Sequence, residues 1–178
     1  MFKSNLGGAN LFRDYADSDV LIQEFESNNK YLSIELGLQE VDPRLIIGLS
    51  RVPVESQLED LLSKVQEMGW NDPTPQGVQL QMFPNGKYVV HSGGNHRAVV
   101  SRELNIPSIH ASVTAYLAEE KISKEEYIII EETRQKLDDL KGKVRLLPMG
   151  DIEQVAAEIT YYEQELNDYL MTLYFRDS

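Results

Sequence analysis

Residues 78–104 read VQLQMFPNGKYVVHSGGNHRAVVSREL, and the change of period along them decides the fold. VQLQMF alternates as a strand does, because successive side chains of an extended backbone point to opposite faces. The next four residues, Pro84 to Lys87, contain the Asn-Gly pair of a tight hairpin, whose two central residues both need positive φ. KYVVH is the returning strand. It runs into Ser92-Gly93-Gly94, and NHRAVVSREL predicts a short helix that stops at Asn105-Ile106-Pro107. Strand, glycine turn and helix start is the arrangement that aims free backbone N–H groups at a ligand. His96 and Arg97 stand in that first turn, where the helix dipole disfavours positive charge by about 0.3 to 1 kcal/mol. A bound anion resolves the conflict. Gly93 and Gly94 allow close approach or positive φ, Asn95 can cap or contact the ligand, His96 can donate a hydrogen bond, and Arg97 offers a planar fork to phosphate oxygens.

Outward from this stretch, SIELGLQEV alternates as a strand and Asp42-Pro43 marks a turn before LIIGLSR. VESQLEDLLSKVQEMGW predicts a helix: Leu58, Leu61, Leu62 and Val65 follow helical spacing, Glu55 or Ser56 can cap it, and Gly69 can end it. NDPTPQG is a loop, and IHASVTAY, β-branched and aromatic, is the last strand. The chain divides into a lead-in at 1–29, a compact mixed-sheet α/β core at 30–117 and an acidic helical extension at 118–178. In the extension, Ile152, Ile159, Leu166 and Leu173 fall at one heptad position and Val155, Tyr162 and Tyr169 at the other. A parallel self-coil would set Glu158, Glu163 and Glu165 beside that seam without basic partners. An antiparallel hairpin with the preceding helix is therefore expected, with Tyr127, Ile130 and Leu137 as its apolar positions and Arg134 and Lys136 as counter-charges.

Composition narrows the function. The chain has 178 residues, 42% of them hydrophobic, enough for one core and an accessory element. It has no cysteine, which removes disulfides, thiolate metal sites and cysteine nucleophiles. The net charge of −12, from 29 acidic and 17 basic residues, opposes a large contact with a phosphate backbone, so DNA binding is disfavoured while a pocket for one anion is allowed. The acidity itself fits a solvated surface or a basic protein partner. No apolar run is long enough to span a bilayer and the first residues lack a signal-type apolar stretch, so no membrane association and a cytoplasmic location are expected. His91, His96 and His110 have no metal-site spacing, and Ser92 does not sit in a Gly-x-Ser-x-Gly elbow.

From Arg51 to Tyr116 the order of elements and the motif GGNHRAVVSRELNIPSIHASV resemble the superfamily shared by sulfiredoxin and the amino-terminal domain of ParB partition proteins, which also includes free-serine kinases. The resemblance implies a compact α/β fold whose glycine-led turn, here Gly93, Gly94, Asn95, His96 and Arg97, contacts nucleotide phosphates. Arg51 stands where an upstream arginine is characteristic. On the core helix, Gln57, Asp60 and Lys64 fall on the corresponding face, of which only Lys64 keeps anion-binding chemistry. A nucleotide such as ATP, ADP or CTP, with or without Mg, is the implied ligand, and a nucleotide hydrolase or phosphotransferase is the implied class of enzyme, with no catalytic residue assigned. Asn95 stands at the reactive cysteine of sulfiredoxin, and an amide cannot form the covalent sulfur intermediate, so sulfinic acid reduction is excluded. The acidic extension lacks the basic recognition helix that partition proteins carry. The alternative is a non-catalytic protein that uses this core as a scaffold and the acidic extension to bind a partner.

Overall fold

The structure, a computed structural model, describes residues 11–145, 148 and 152–176. The first ten residues of the lead-in fall outside them. Six strands form one mixed sheet: β1 (Ala16–Asp17), β2 (Tyr31–Val41), β3 (Ile46–Leu49), β4 (Gln79–Met82), β5 (Tyr88–Val90) and β6 (Ile109–Ala118). Their spatial order is β1-β3-β5-β4-β6-β2. β3 is parallel to β1 and β5, β4 is antiparallel to β5 and parallel to β6. Five α-helices are described: α1 (Ser18–Asn28), α2 (Glu55–Met68), α3 (Asn95–Glu103), α4 (Lys124–Val144) and α5 (Ile152–Arg176). The fold is thus α+β with two carboxyl-terminal helices.

Local chemistry sets the element ends. Gly69 closes α2 at φ +79, a conformation that costs glycine little. The start of α2 differs from expectation: Val54 is its N-cap and no side chain caps it, neither Glu55 nor Ser56. The β4–β5 hairpin also differs. Gly86 alone has positive φ, Gly86 N–H donates to the Phe83 carbonyl and Phe83 N–H to Lys87. Proline at 84 fixes a negative φ, so the connection is a three-residue turn closed by Gly86. Asn105, at φ +52, follows α3. Its N–H reaches Arg102 and that of Ile106 reaches Ser101, which satisfies the last carbonyls of the helix before Pro107.

Contacts divide the chain into two compact units. The first joins Glu35–Tyr116 to the described residues before Lys30. Leu58 of α2 and Ala98, Val99 and Val100 of α3 share its core with Ile46, Leu80, Val90, Ile109, Ala111 and Val113 of the sheet. Leu11, Phe12 and Tyr15, from the lead-in, pack against this core. Phe25 of α1 meets Phe83 and Tyr116 at ring-centroid distances of 5.1 and 4.9 Å.

The second unit joins Lys30–Ile34 to the described residues from Leu117 onward. Ser123 opens α4 with a capping box, its hydroxyl accepting from Glu126 N–H while Glu126 accepts from Ser123 N–H. α4 and α5 are antiparallel: Glu126 pairs with Arg176, Lys136 with Tyr162 and Lys141 with Glu163. All seven seam positions of α5 are at least half-buried, with Leu173 buried alongside Leu170, Ile130, Leu137 and Leu140. Arg134 faces Glu131 of its own helix instead of α5. No helix among the described residues is long and apolar enough to cross a membrane.

Candidate functional site

The glycine turn joins β5 to α3 in the first unit, as the sequence spacing predicts. Gly94 is the N-cap of α3 at φ +94 and ψ 9, and no side chain caps the helix. The first N–H groups of a helix have no partner within it, so this end carries the dipole's positive pole uncapped. The glycines are spent on packing. A β-carbon on Gly93 would lie 2.7 Å from the Gly77 carbonyl oxygen, and one on Gly94 would lie 2.8 Å from Val78 Cα. Gln79 N–H donates to Gly93 O and His91 N–H donates back to Gln79 O, which fixes the turn against the strand before it.

Each polar residue of the motif has a partner inside the chain. Asn95, 2% exposed, exchanges hydrogen bonds with Ser50: its Oδ1 accepts from Ser50 N–H at 3.0 Å and its Nδ2 donates to Ser50 Oγ at 3.1 Å. The amide thus clamps the end of β3 to the start of α3. His96 Nε2 accepts the Val54 N–H at 3.0 Å, so the ring is neutral with its proton on Nδ1. Arg97 Nη1 donates to both carboxylate oxygens of Asp72 at 2.8 Å and to the Thr74 carbonyl at 2.7 Å. The side chains of Arg97 and Asp72 are 22% and 9% exposed. Asp72 also accepts Thr74 N–H, and a β-carbon at Gly77 would strike Arg97 Nη2 at 2.6 Å. The loop 72–77 therefore folds over the guanidinium as a clasp.

Arg51 is the cation that remains accessible. It is exposed and its Nη2 reaches the Ser92 carbonyl at 3.4 Å. The sequence-predicted residues Arg51, Gly93, Gly94, Asn95, His96 and Arg97 are brought together. Lys64 is not: it lies ten residues past Val54 on α2, about 15 Å along the axis at a rise of 1.5 Å per residue. The sequence does not mark Asp72 and Ser50 as site residues; the one signal is the acid before a proline in NDPTP, in a loop able to turn back on a cation. Two uncapped helix starts meet here, because Val54 is the N-cap of α2 and His96 lies in the first turn of α3. Among the described residues no group of three His, Cys, Asp or Glu side chains could hold a metal ion.

Burial lowers the pKa of His96 below the ordinary imidazole value, and the nearby Arg51 charge lowers it further. Protonating Nε2 would also forfeit the Val54 hydrogen bond. The folded pKa is depressed, so the stability linked to His96 is fully present above the unfolded value near 6.5. It is lost as the pH falls from there through the folded pKa. The stability difference between wild type and His96→Ala, from urea midpoints, is expected to shrink between pH 7.5 and pH 5. A difference that grows on acidification would refute this protonation state.

No family model matches the chain, and none of the curated proteins is a significant match to it.

Proposed function

We propose that the amino ends of α2 and α3, beside Arg51, bind the phosphate groups of a nucleotide such as ATP, ADP or CTP, with Mg accompanying the ligand. The observation that carries this reading is the convergence on one exposed guanidinium, that of Arg51, of two helix starts whose N-cap residues make no side-chain capping bond, with His96 accepting the Val54 N–H between them. Each uncapped start presents roughly half a positive charge and free N–H donors. The resemblance of GGNHR to the ParB and sulfiredoxin superfamily supports the same assignment. Bound phosphate would take over the Val54 N–H from His96 and favour its protonated form. Arg97, whose charge Asp72 already matches, acts by holding the turn and reaches a phosphate only on leaving that clasp.

Isothermal titration with ATP, ADP, CTP and inorganic tripolyphosphate, in the presence of magnesium, tests the reading. Arg51→Ala is expected to weaken binding by about 10- to 150-fold, the loss of one charge-assisted hydrogen bond worth roughly 1.5 to 3 kcal/mol. Arg51→Lys is expected to recover only part of it, because an ammonium lacks the planar fork. Wild-type protein that binds none of these below millimolar concentration overturns the assignment, as does an Arg51→Ala variant of unchanged affinity.

One observation favours the scaffold reading instead: Asn95, His96 and Arg97 are each partnered within the chain. Under that reading the motif stabilises the core, and the acidic α4–α5 hairpin contacts a basic protein. The same titration then yields no nucleotide binding.

A further inference from the structure

We infer that the cavity beside Arg51 is a nucleobase pocket, and that it selects bases carrying an exocyclic amine. The inference rests on the phosphate reading above and supplies the other half of the ligand. The cavity has a volume of about 240 Å³ and is lined by Phe12, Tyr15, Asp17, Leu49, Arg51 and Val52, among others. Arg51 belongs to both places, because it lines this cavity while its Nη2 rests on the Ser92 carbonyl of the glycine turn. A ligand whose phosphates meet the turn therefore has its remainder directed past Arg51 into the cavity.

The lining suits a flat, weakly polar ring. Two aromatic side chains and Leu49 form its walls, and Val52 stands 74% exposed at its margin. An exposed valine next to an arginine, in a loop leading to a helix, is an apolar surface that a stacked ring would cover. Base–aromatic stacking contributes roughly 1 to 3 kcal/mol per base. Tyr15 is held in place: its hydroxyl donates to the Ala98 carbonyl at 3.3 Å, and Arg102 lies over its ring at 4.9 Å. Tyr15 is thus fixed to α3, the helix whose start would hold the phosphates.

Asp17 supplies the polarity. Its Oδ1 accepts the N–H groups of Asp19 and Val20, which caps α1. Its Oδ2 takes no hydrogen bond from the described residues. A carboxylate oxygen only accepts, so it pairs with an amine on a base edge and repels a carbonyl oxygen there. Adenine and cytosine present the amine, while hypoxanthine and uracil present the carbonyl at the same positions. Asp17 is exposed, so water moderates the discrimination, which rests on attraction of the carboxylate to the amine against its repulsion of a carbonyl oxygen.

Titration of wild type, Phe12→Ala and Asp17→Asn with magnesium and ATP, ITP, CTP, UTP or tripolyphosphate tests this. In wild type, ATP or CTP is expected to bind at least about tenfold more tightly than tripolyphosphate. It should also exceed its keto counterpart, ITP or UTP. Phe12→Ala is expected to reduce the margin over tripolyphosphate. Asp17→Asn keeps an N-cap of equal quality, so it should fold normally, hold tripolyphosphate unchanged and lose the amine preference. Tripolyphosphate binding as tightly as every nucleotide overturns the base pocket and leaves the phosphate site standing. Keto and amino nucleotides bound equally by wild type overturn the role of Asp17. Failure of all five ligands to bind wild type overturns both proposals.

Discussion

Replacing Gly94 by alanine is expected to destabilise the protein by on the order of 3 kcal/mol, the combined effect of a left-handed conformation and a backbone clash. Gly94 has φ +94, and its new β-carbon would meet Val78 Cα at 2.8 Å and Val78 Cγ1 at 2.9 Å. A side-chain obstruction could rotate away. The Cα atom of Val78 cannot, because Val78 N–H is bound to Pro75 O and its carbonyl to Ser112 N–H. The relief available is withdrawal of the α3 start from the sheet, which also separates Asn95 from Ser50 and His96 from Val54. Gly86→Ala provides the comparison: Gly86 has φ +75 but nothing within 4 Å of the added carbon. That variant should lose only about 1 kcal/mol, the conformational cost alone. Urea unfolding of both variants checks the pair, and equal midpoints would show that the contact with Val78 carries no strain.

Asp72→Ala should be nearly as damaging, at about 3 kcal/mol, the lower end of what breaking one side of a buried ion pair costs. The lower end applies because Arg97 keeps the Thr74 carbonyl and some access to water. A thermodynamic cycle with Arg97→Ala and the double variant separates pairing from packing. The double variant is expected to be more stable than the sum of the single losses predicts, by roughly 0.5 to 3 kcal/mol. Strict additivity would mean that the contact has no energetic content. Phosphate or sulfate should stabilise Asp72→Ala more than wild type, since the variant leaves a guanidinium in need of an anion.

The elements that were legible in the sequence are those fixed by local chemistry. The 3.6-residue spacing of Leu58, Leu61, Leu62 and Val65 gave α2, and Gly69 its end. Gly94 and the Asn105-Ile106-Pro107 run bounded α3 to within a residue. The heptad of Ile152 to Leu173 predicts the inner seam of an antiparallel hairpin, and α4 and α5 pair in that sense. What the sequence hid depends on residues distant along the chain. Arg97 reads as a free fork until Asp72, 25 positions away, is placed on it. Asn95 reads as a cap until Ser50 is found across the turn. Asn85-Gly86 suggests two positive φ values, but the Gly86 N–H to Phe83 bond makes Pro84 and Asn85 the central residues of the turn, and only Gly86 takes a positive φ. The α2 start lacks a side-chain cap because its N-cap is Val54, which has no side-chain oxygen to accept from the first turn.

The second unit begins at Lys30–Ile34 and resumes only at Leu117. A ribosome delivers these parts far apart in time. Leu32 and Ile34, buried in the finished protein, belong to edge strand β2 and emerge roughly 140 residues before the last buried leucine of α5. At 5 to 20 residues per second that is a wait of roughly 7 to 28 s. Until the carboxyl-terminal helices follow, the nascent chain displays the apolar face that Leu32 and Ile34 bury in the finished unit, a surface to which other chains can adhere. Truncating α5 makes that interval permanent. A carboxyl-terminally shortened chain should therefore accumulate as aggregate or chaperone-bound protein, however well the glycine turn is made.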